Sequence, residues 1–314
     1  MGGRDPAWNV PLAELLQLLG VRFPQSPVIL RSGEMDPTEA VERLWPGRQA
    51  RVTALSGGIT NHNFRVDVEG DSFVLRMGGA QTELLGIDRR TEREANHRAF
   101  EVGIAPHVVG FAEPEGWLVT RFIHGRPISL DEMRTARTIQ RVASAVRRFH
   151  EAAPIPGVFD SHAVVVDYRL EAEAHGVTIP DAYARGLEMS EGIRAARGPQ
   201  PSVPCHNDLL NANFLDDGAI KIVDWEYAGM GDRFFDLANL SVNNEFGPDE
   251  DRELMSAYFG TVRDEDLASL QQMKFMSDFR EAMWGVLQSG ISELDEDFNA
   301  YAAKHFERMF SHVP

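Results

Sequence analysis

The fold is decided by the stretch His206-Asn207-Asp208-Leu209-Leu210-Asn211-Ala212-Asn213, together with the later run Ile222-Val223-Asp224-Trp225-Glu226. Phosphoryl transfer from a magnesium nucleotide needs a carboxylate beside the attacking hydroxyl. It also needs hard oxygen ligands on the metal, from at least one carboxylate and often an amide. Asp208, Asn213 and Asp224 supply that set in chain order. Asp208 and Asn213 stand five residues apart on one polar loop, and Asp224 ends the strand expected after it, so a short hairpin can gather all three around one ion. Singly, each is the kind of residue that caps turns; the ordered combination is what points to chemistry.

This island lies among helices. Met133, Ala136, Ile139, Ala143, Val146 and Phe149 recur at three- and four-residue intervals, as do Leu267, Leu270, Met273, Met276, Phe279, Met283 and Val286, so both runs predict core-facing helices. Upstream the period changes. Phe64, Val66 and Val68 alternate with Arg65, Asp67 and Glu69, and Gly70-Asp71 turns the chain into Phe73-Val74-Leu75, which predicts a half-buried hairpin. A helix over residues 88–102 and strands near Val108 and over 117–120 complete a small α+β unit. Asp36 followed by Pro37 reads as a cap and first turn, so the folded body is expected to begin there.

With 314 residues, 43% of them hydrophobic and 25% charged, the chain has the composition of a globular protein large enough for two packed units. Thirty-one Lys+Arg against 48 Asp+Glu leave a formal charge of −17, which disfavours duplex nucleic acid and anionic membrane as partners and favours a cationic one. The single cysteine, Cys205, excludes an intrachain disulfide framework and a Cys-pair zinc site, and makes a reducing cytoplasm the natural setting. No apolar run reaches the length of a membrane span, and Asp5 and Glu14 interrupt the stretch where a secretion signal would need an uncharged run. The only lysines are at 221, 274 and 304, so no Gly-Lys-Ser/Thr phosphate loop is possible.

His-x-Asp-x4-Asn followed by Asp-Trp-Glu resembles the aminoglycoside phosphotransferase and choline/ethanolamine kinase group, whose fold is similar to that of protein kinases. Leu55-Ser56-Gly57-Gly58-Ile59-Thr60-Asn61-His62-Asn63-Phe64 resembles the choline kinase nucleotide loop, and Phe235-Asp236-Leu237-Ala238-Asn239 and Trp284-Gly285-Val286-Leu287-Gln288 are similar to the same family. The resemblance spans about residues 37–312. It implies a two-lobed, protein-kinase-like α+β fold with a small N-terminal lobe on an antiparallel sheet and a larger, mainly helical C-terminal lobe. It also implies ATP and Mg²⁺ as cofactors, the nucleotide lying near residues 120–125.

Carried over residue by residue, the resemblance makes Asp208 the catalytic base or hydroxyl-orienting group, His206 the residue that orients its loop, and Asn213 and Asp224 the Mg²⁺ ligands. Ser56, Gly57 and Gly58 would let backbone N–H groups approach the phosphates. Arg76 would stand where protein kinases carry a strand lysine, holding phosphate by two donors, with Glu94 preferred to Glu92 as its acidic partner. Asp236 would anchor the catalytic loop from a helix. No second histidine lies at zinc spacing from His206, and Cys205 and His150 read as structural.

Acidic Glu226 and Glu245 and aromatic Trp225, Tyr227, Phe246, Trp284 and Tyr301 are acceptor candidates, since a quaternary ammonium binds through ring faces and a counter-charge, and the resemblance implies Glu245, Trp284 and Tyr301 as the choline pocket. Choline kinases typically carry another tryptophan three residues before the one matching Trp284, and here that position is Glu281. A more acidic pocket suits a primary or secondary amine. The expected activity is therefore ATP-dependent phosphorylation of a small cationic alcohol, choline or ethanolamine foremost. An aminoglycoside or other small-molecule kinase is the alternative within the class, and a catalytically silent nucleotide-binding scaffold the alternative outside it.

The expected organisation is an extension over residues 1–34, a nucleotide-binding lobe over 35–122 and a catalytic and substrate-binding lobe over 123–314. The extension offers one leucine-bearing helix, with Leu12, Leu15, Leu16 and Leu19, before Pro24 and Pro27. Deleting residues 1–34 is therefore expected to leave a soluble, active enzyme with its melting transition intact. Aggregation or loss of the transition on calorimetry would place that segment in the folded core.

Overall fold

In the computed structural model, residues 36–55, 61–79, 82–292, 294 and 296–312 are described. The chain divides into two compact units, Met1–Ala80 with Pro106–Ile123, and Gln81–Ala105 with His124–Pro314.

In the first unit, α1 (Pro37–Leu44) is capped by Asp36, whose carboxylate accepts from the Thr38 N–H, with Pro37 in the first turn. Five strands follow, β1 (Ala50–Ala54), β2 (Asn61–Val68), β3 (Asp71–Gly78), β4 (Val108–Ala112) and β5 (Trp117–Arg121), in the antiparallel order β1-β2-β3-β5-β4. The β2–β3 turn is Glu69-Gly70, both with positive φ (51° and 92°), the geometry that matches a two-residue hairpin to the twist of its strands. Period-two alternation puts Val66, Val68, Phe73, Leu75 and Met77 on one buried face, where Ala40, Val41, Leu44 and Trp45 of α1 and its end cover them.

The second unit is mostly helical. It contains α2 (Arg89–Glu101), β6 (Arg126–Pro127), α3 (Leu130–Met133), α4 (Ala136–His150), α5 (Ser161–Ala174), α6 (Ala182–Arg197), β7 (Ser202–Cys205), β8 (Phe214–Asp216), β9 (Ile220–Ile222), β10 (Gly229–Asp232), α7 (Arg233–Asn243), α8 (Pro248–Phe259), α9 (Asp264–Ile291) and α10 (Phe298–Met309). The first apolar run is interrupted, because Ser129 and Thr135 each cap a helix start and divide it into α3 and α4. The second is continuous. At 28 residues α9 is about 42 Å long, and its middle, Met273 to Gln288, is buried on every side. Among the described residues no helix is long and apolar enough to cross a membrane.

Two small antiparallel sheets sit among these helices. The β8–β9 hairpin pairs with β6, and Arg141 of α4 grips its Asp216 by two bonds of 2.7 and 2.8 Å, holding that carboxyl well below the usual carboxylate range. The β7–β10 pair sets Cys205 opposite Gly229 and Val203 opposite Gly231. The backbone of residues 157–159 runs alongside β10, with Met230 bonded to both Gly157 and Phe159. A Cβ on Gly231 would lie 2.9 Å from the Phe159 carbonyl oxygen, a backbone atom with little room to yield. Gly231→Ala is expected to destabilise the fold by about 1–3 kcal/mol, read as a lower urea midpoint at unchanged m-value.

Candidate active site

The loop leaving β7 is held by side chains of a single helix. Asp236 of α7 is fully buried, and its two oxygens accept the N–H groups of His206 (2.8 Å) and Asn207 (2.6 Å). Asn239, one turn on, accepts the Leu209 N–H at 2.5 Å and donates to Ser277 at 3.1 Å, while Asn244 at the helix end donates to the Leu209 carbonyl at 3.2 Å. Buried backbone polar groups must be bonded, and this loop has no strand partner, so α7 supplies the partners a ladder would. His150 donates its Nε2–H to Asp236 at 2.9 Å and contacts the Tyr258 hydroxyl at 2.6 Å, a structural position beneath the loop. Burial pushes the neighbouring Cys205 thiol well up, which suits an inert side chain.

His206 has a defined tautomer. Its Nε2 faces the Val223 carbonyl at 3.0 Å, which can only accept, and its Nδ1 receives the Asp208 N–H at 3.2 Å. The ring is therefore neutral with the proton on Nε2, and it ties the Asp208 loop to the segment leading to Asp224. Asn207 (φ 67°), Asp224 (φ 67°) and Glu245 (φ 55°) adopt left-handed backbone, an uncommon state for non-glycine residues that tends to gather at functional sites.

Asp208, Asn213 and Asp224 come together as the hairpin reading expects. Asn213 donates its Nδ2 to the Asp208 carbonyl at 2.9 Å, which leaves Oδ1 as its ligating atom, and its own carbonyl accepts the Val223 N–H at 3.0 Å, directly before Asp224. The strand stops at Ile222, so Asp224 lies two residues beyond it in the turn towards Glu226. Burial drives the Asp208 carboxyl well up; Arg280 pulls it down, and Glu281, Asp224 and Glu226 push it up again. A crowd of carboxylates around one amide oxygen is a donor set that fits a hard divalent cation.

Beside Asp208 lies a wall built by α9 and α10. Arg280 is 1% exposed, 3.8 Å from Asp208 and bonded to Glu281 at 2.5 Å, with its guanidinium carbon 4.3 Å from the Tyr227 ring centre. Glu281 also accepts the Tyr301 hydroxyl at 2.7 Å, and Trp284 donates to the Tyr227 hydroxyl at 3.0 Å while meeting the Tyr301 ring edge-on at 5.6 Å. Trp284, Tyr301 and the departure at Glu281 thus belong to one cluster. Glu226 is buried and takes Arg89 of α2 at 3.2 Å; Arg89 also pairs with Glu92 at 2.8 Å. Glu245 is exposed, one residue after the Asn244 that braces Leu209.

Glu94 pairs with Arg98 on its own helix at 2.8 Å, whereas buried Glu92 joins the Arg89–Glu226 network. Arg76 is nearly buried on β3, its Nε 3.5 Å from Asn63. Ser56, Gly57 and Gly58 lie outside the described residues. Arg280, Arg89 and Asn244 escape a reading by motif. The signal for Arg280 is nonetheless present, as Asp278, Arg280 and Glu281 interrupt an otherwise apolar helix centre. Asp236→Asn would set an N–H group against backbone N–H donors. It is expected to cost about 1–3 kcal/mol and to depress turnover, checked by denaturant titration and steady-state rates.

Comparison with known proteins identifies the family. The sequence family described as choline/ethanolamine kinase matches residues 52–258. A crystal structure of a choline/ethanolamine kinase family protein from Mesorhizobium loti is 33% identical, covering 88% of this chain and 93% of that one, with a TM-score of 0.76. The probable choline kinase 1 of Arabidopsis thaliana is 26% identical over 89% of this chain and 90% of its own length. An aminoglycoside 2'-phosphotransferase structure, 15% identical over 88% and 96% of the two chains, shares the fold at a TM-score of 0.65. The chain is a small-molecule kinase with the α+β, protein-kinase-like fold, and it belongs to the choline/ethanolamine kinase family.

Proposed function

We propose that the protein transfers the γ-phosphate of ATP, with Mg²⁺, to the hydroxyl of a small cationic amino alcohol of the choline and ethanolamine class. The observation that carries this reading is the convergence of Asp208, Asn213 and Asp224 on one braced loop and hairpin. Asp208 accepts or orients the acceptor's hydroxyl proton as that oxygen attacks the γ-phosphorus. The bond from phosphorus to the β,γ-bridging oxygen then breaks, and ADP leaves. Asn213 and Asp224 would hold Mg²⁺, which when bound supplies the positive charge that phosphates and clustered carboxylates lack. His206 keeps the loop in register through its two fixed hydrogen bonds. Arg76 and the Ser56-Gly57-Gly58 segment serve the nucleotide phosphates by resemblance. A silent scaffold lacks support, because base and both metal-binding side chains are present.

For the acceptor, Glu226, Glu245, Trp284 and Tyr301 provide acid and ring faces. Glu281 replaces an aromatic wall with a hydrogen-bond acceptor, which suits an amine that retains N–H groups. Asp208→Asn is expected to preserve fold and nucleotide affinity while lowering kcat by about 10²-fold or more. Asp224→Ala is expected instead to weaken Mg²⁺-dependent nucleotide binding in calorimetric titration. Near-normal turnover in the first variant, or an unchanged metal titration in the second, would remove that residue from its role.

A further inference from the structure

One stripe of α9, with its members three and four residues apart, lies along α10: Asp278, Glu281 and Gly285. Glu281 takes the Tyr301 hydroxyl on one oxygen and Arg280 on the other. Gly285 lets the Tyr301 ring come close, since a Cβ there would lie 2.9 Å from its Cδ1 and 3.2 Å from the Ala302 backbone nitrogen. Asp278 has no part in the chemistry proposed above, yet it gathers more bonds than either.

Asp278 is fully buried. Its carboxylate accepts from His305 at 2.7 Å, from Arg308 through Nε at 2.8 Å and Nη2 at 2.6 Å, and from His312 at 2.7 Å. Burial by itself would raise this carboxyl, and the bonds from His305, His312 and Arg308 hold it well below the usual carboxylate range, so the clamp is ionic. Apolar contacts such as Phe279 on Phe306 already press the two helices together. A buried ionic cluster adds little net stability over well-packed apolar side chains, and its best-attested use is to fix register.

The register fixed here is that of Tyr301. His305 stands one helical turn after it, and the two rings lie 4.5 Å apart. The face of α10 that gives Tyr301 to Glu281 thus gives His305 and Arg308 to Asp278. Two anchor points a turn apart on both helices oppose sliding and rotation together; the Tyr301–Glu281 bond alone would leave α10 free to pivot about it.

We propose that Asp278 is a positioning residue of the acceptor site: its clamp on His305, Arg308 and His312 sets the register of α10 on α9 and so holds Tyr301 against Glu281 and Trp284, where the cationic end of the acceptor is recognised. This rests on the reading of Glu281, Trp284 and Tyr301 as the acceptor wall.

Steady-state kinetics with ethanolamine and choline, each varied against ATP, are measured on the full-length protein and on Asp278→Asn, Arg308→Gln, Tyr301→Phe and the double variant Asp278→Asn/Tyr301→Phe. Melting curves set a temperature at which each is folded. Asp278→Asn is expected to raise the acceptor KM by about fivefold or more, the scale of one lost hydrogen bond, and to change the ATP KM by less than about twofold. On top of Tyr301→Phe it is expected to add less than about twofold, because both changes act on one contact. Should Asp278→Asn fail to fold, Arg308→Gln loosens the same clamp near the chain end with the carboxylate in place, and is expected to raise the acceptor KM in the same way. An acceptor KM unchanged in a folded clamp variant, while Tyr301→Phe raises it, makes the clamp plain packing and overturns this proposal alone. Equal rises in the KM of acceptor and ATP, or effects that multiply in the double variant, overturn it as well. An acceptor KM indifferent to Tyr301→Phe discards the acceptor reading of that residue, and the proposal with it.

Discussion

The site depends on a carboxylate that performs no chemistry. Asp236 receives two consecutive N–H groups of the loop after β7, and Asn239 and Asn244 secure the N–H and the carbonyl of Leu209. A loop that carries a reactive acid cannot also be a strand, because a ladder would bury the acid's backbone in a sheet and aim its side chain by the pleat. Moving the hydrogen-bond partners onto a helix keeps the loop irregular yet fixed. The cost is three polar side chains at zero exposure on α7, offset by every bond they make.

Charge balance is the second constraint. The protein gathers Asp224, Glu226 and Glu281 around the buried Asp208 and sets two arginines among these four carboxylates, one from α2 and one from α9.

Much of this was legible in the sequence, for reasons that differ by element. Alternation over Phe64 to Val68 and the Glu69-Gly70 turn encode the hairpin locally, so strand and turn follow from residue chemistry alone. The Asp208, Asn213 and Asp224 set is legible because its order on the chain is its order around the hairpin. The break between α3 and α4 is encoded by Ser129 and Thr135, caps that a hydrophobic period passes over. The link from Arg89 to Glu226 was hidden because the two are 137 residues apart, and no local pattern connects them. Spacing does not settle which of Glu92 and Glu94 serves as the acidic partner of Arg76; on α2 Glu94 pairs with Arg98 and Glu92 with Arg89, each within the helix.

The middle of α9 is at once the core of the larger unit and one wall of the site, with Phe279, Ala282 and Met283 at zero exposure between Arg280, Glu281 and Trp284. On the proposed reading of the acceptor side, positions that would tune substrate choice are also packing positions. A family member cannot change its acceptor by drifting one surface residue at a time; an exchange at 280 or 281 alters volume and charge in close-packed surroundings and must be matched by neighbours such as Tyr227 and Tyr301. Substrate range in proteins built this way should evolve in coordinated blocks of residues, and grafting one acceptor residue from a relative should yield an unstable hybrid sooner than a new specificity.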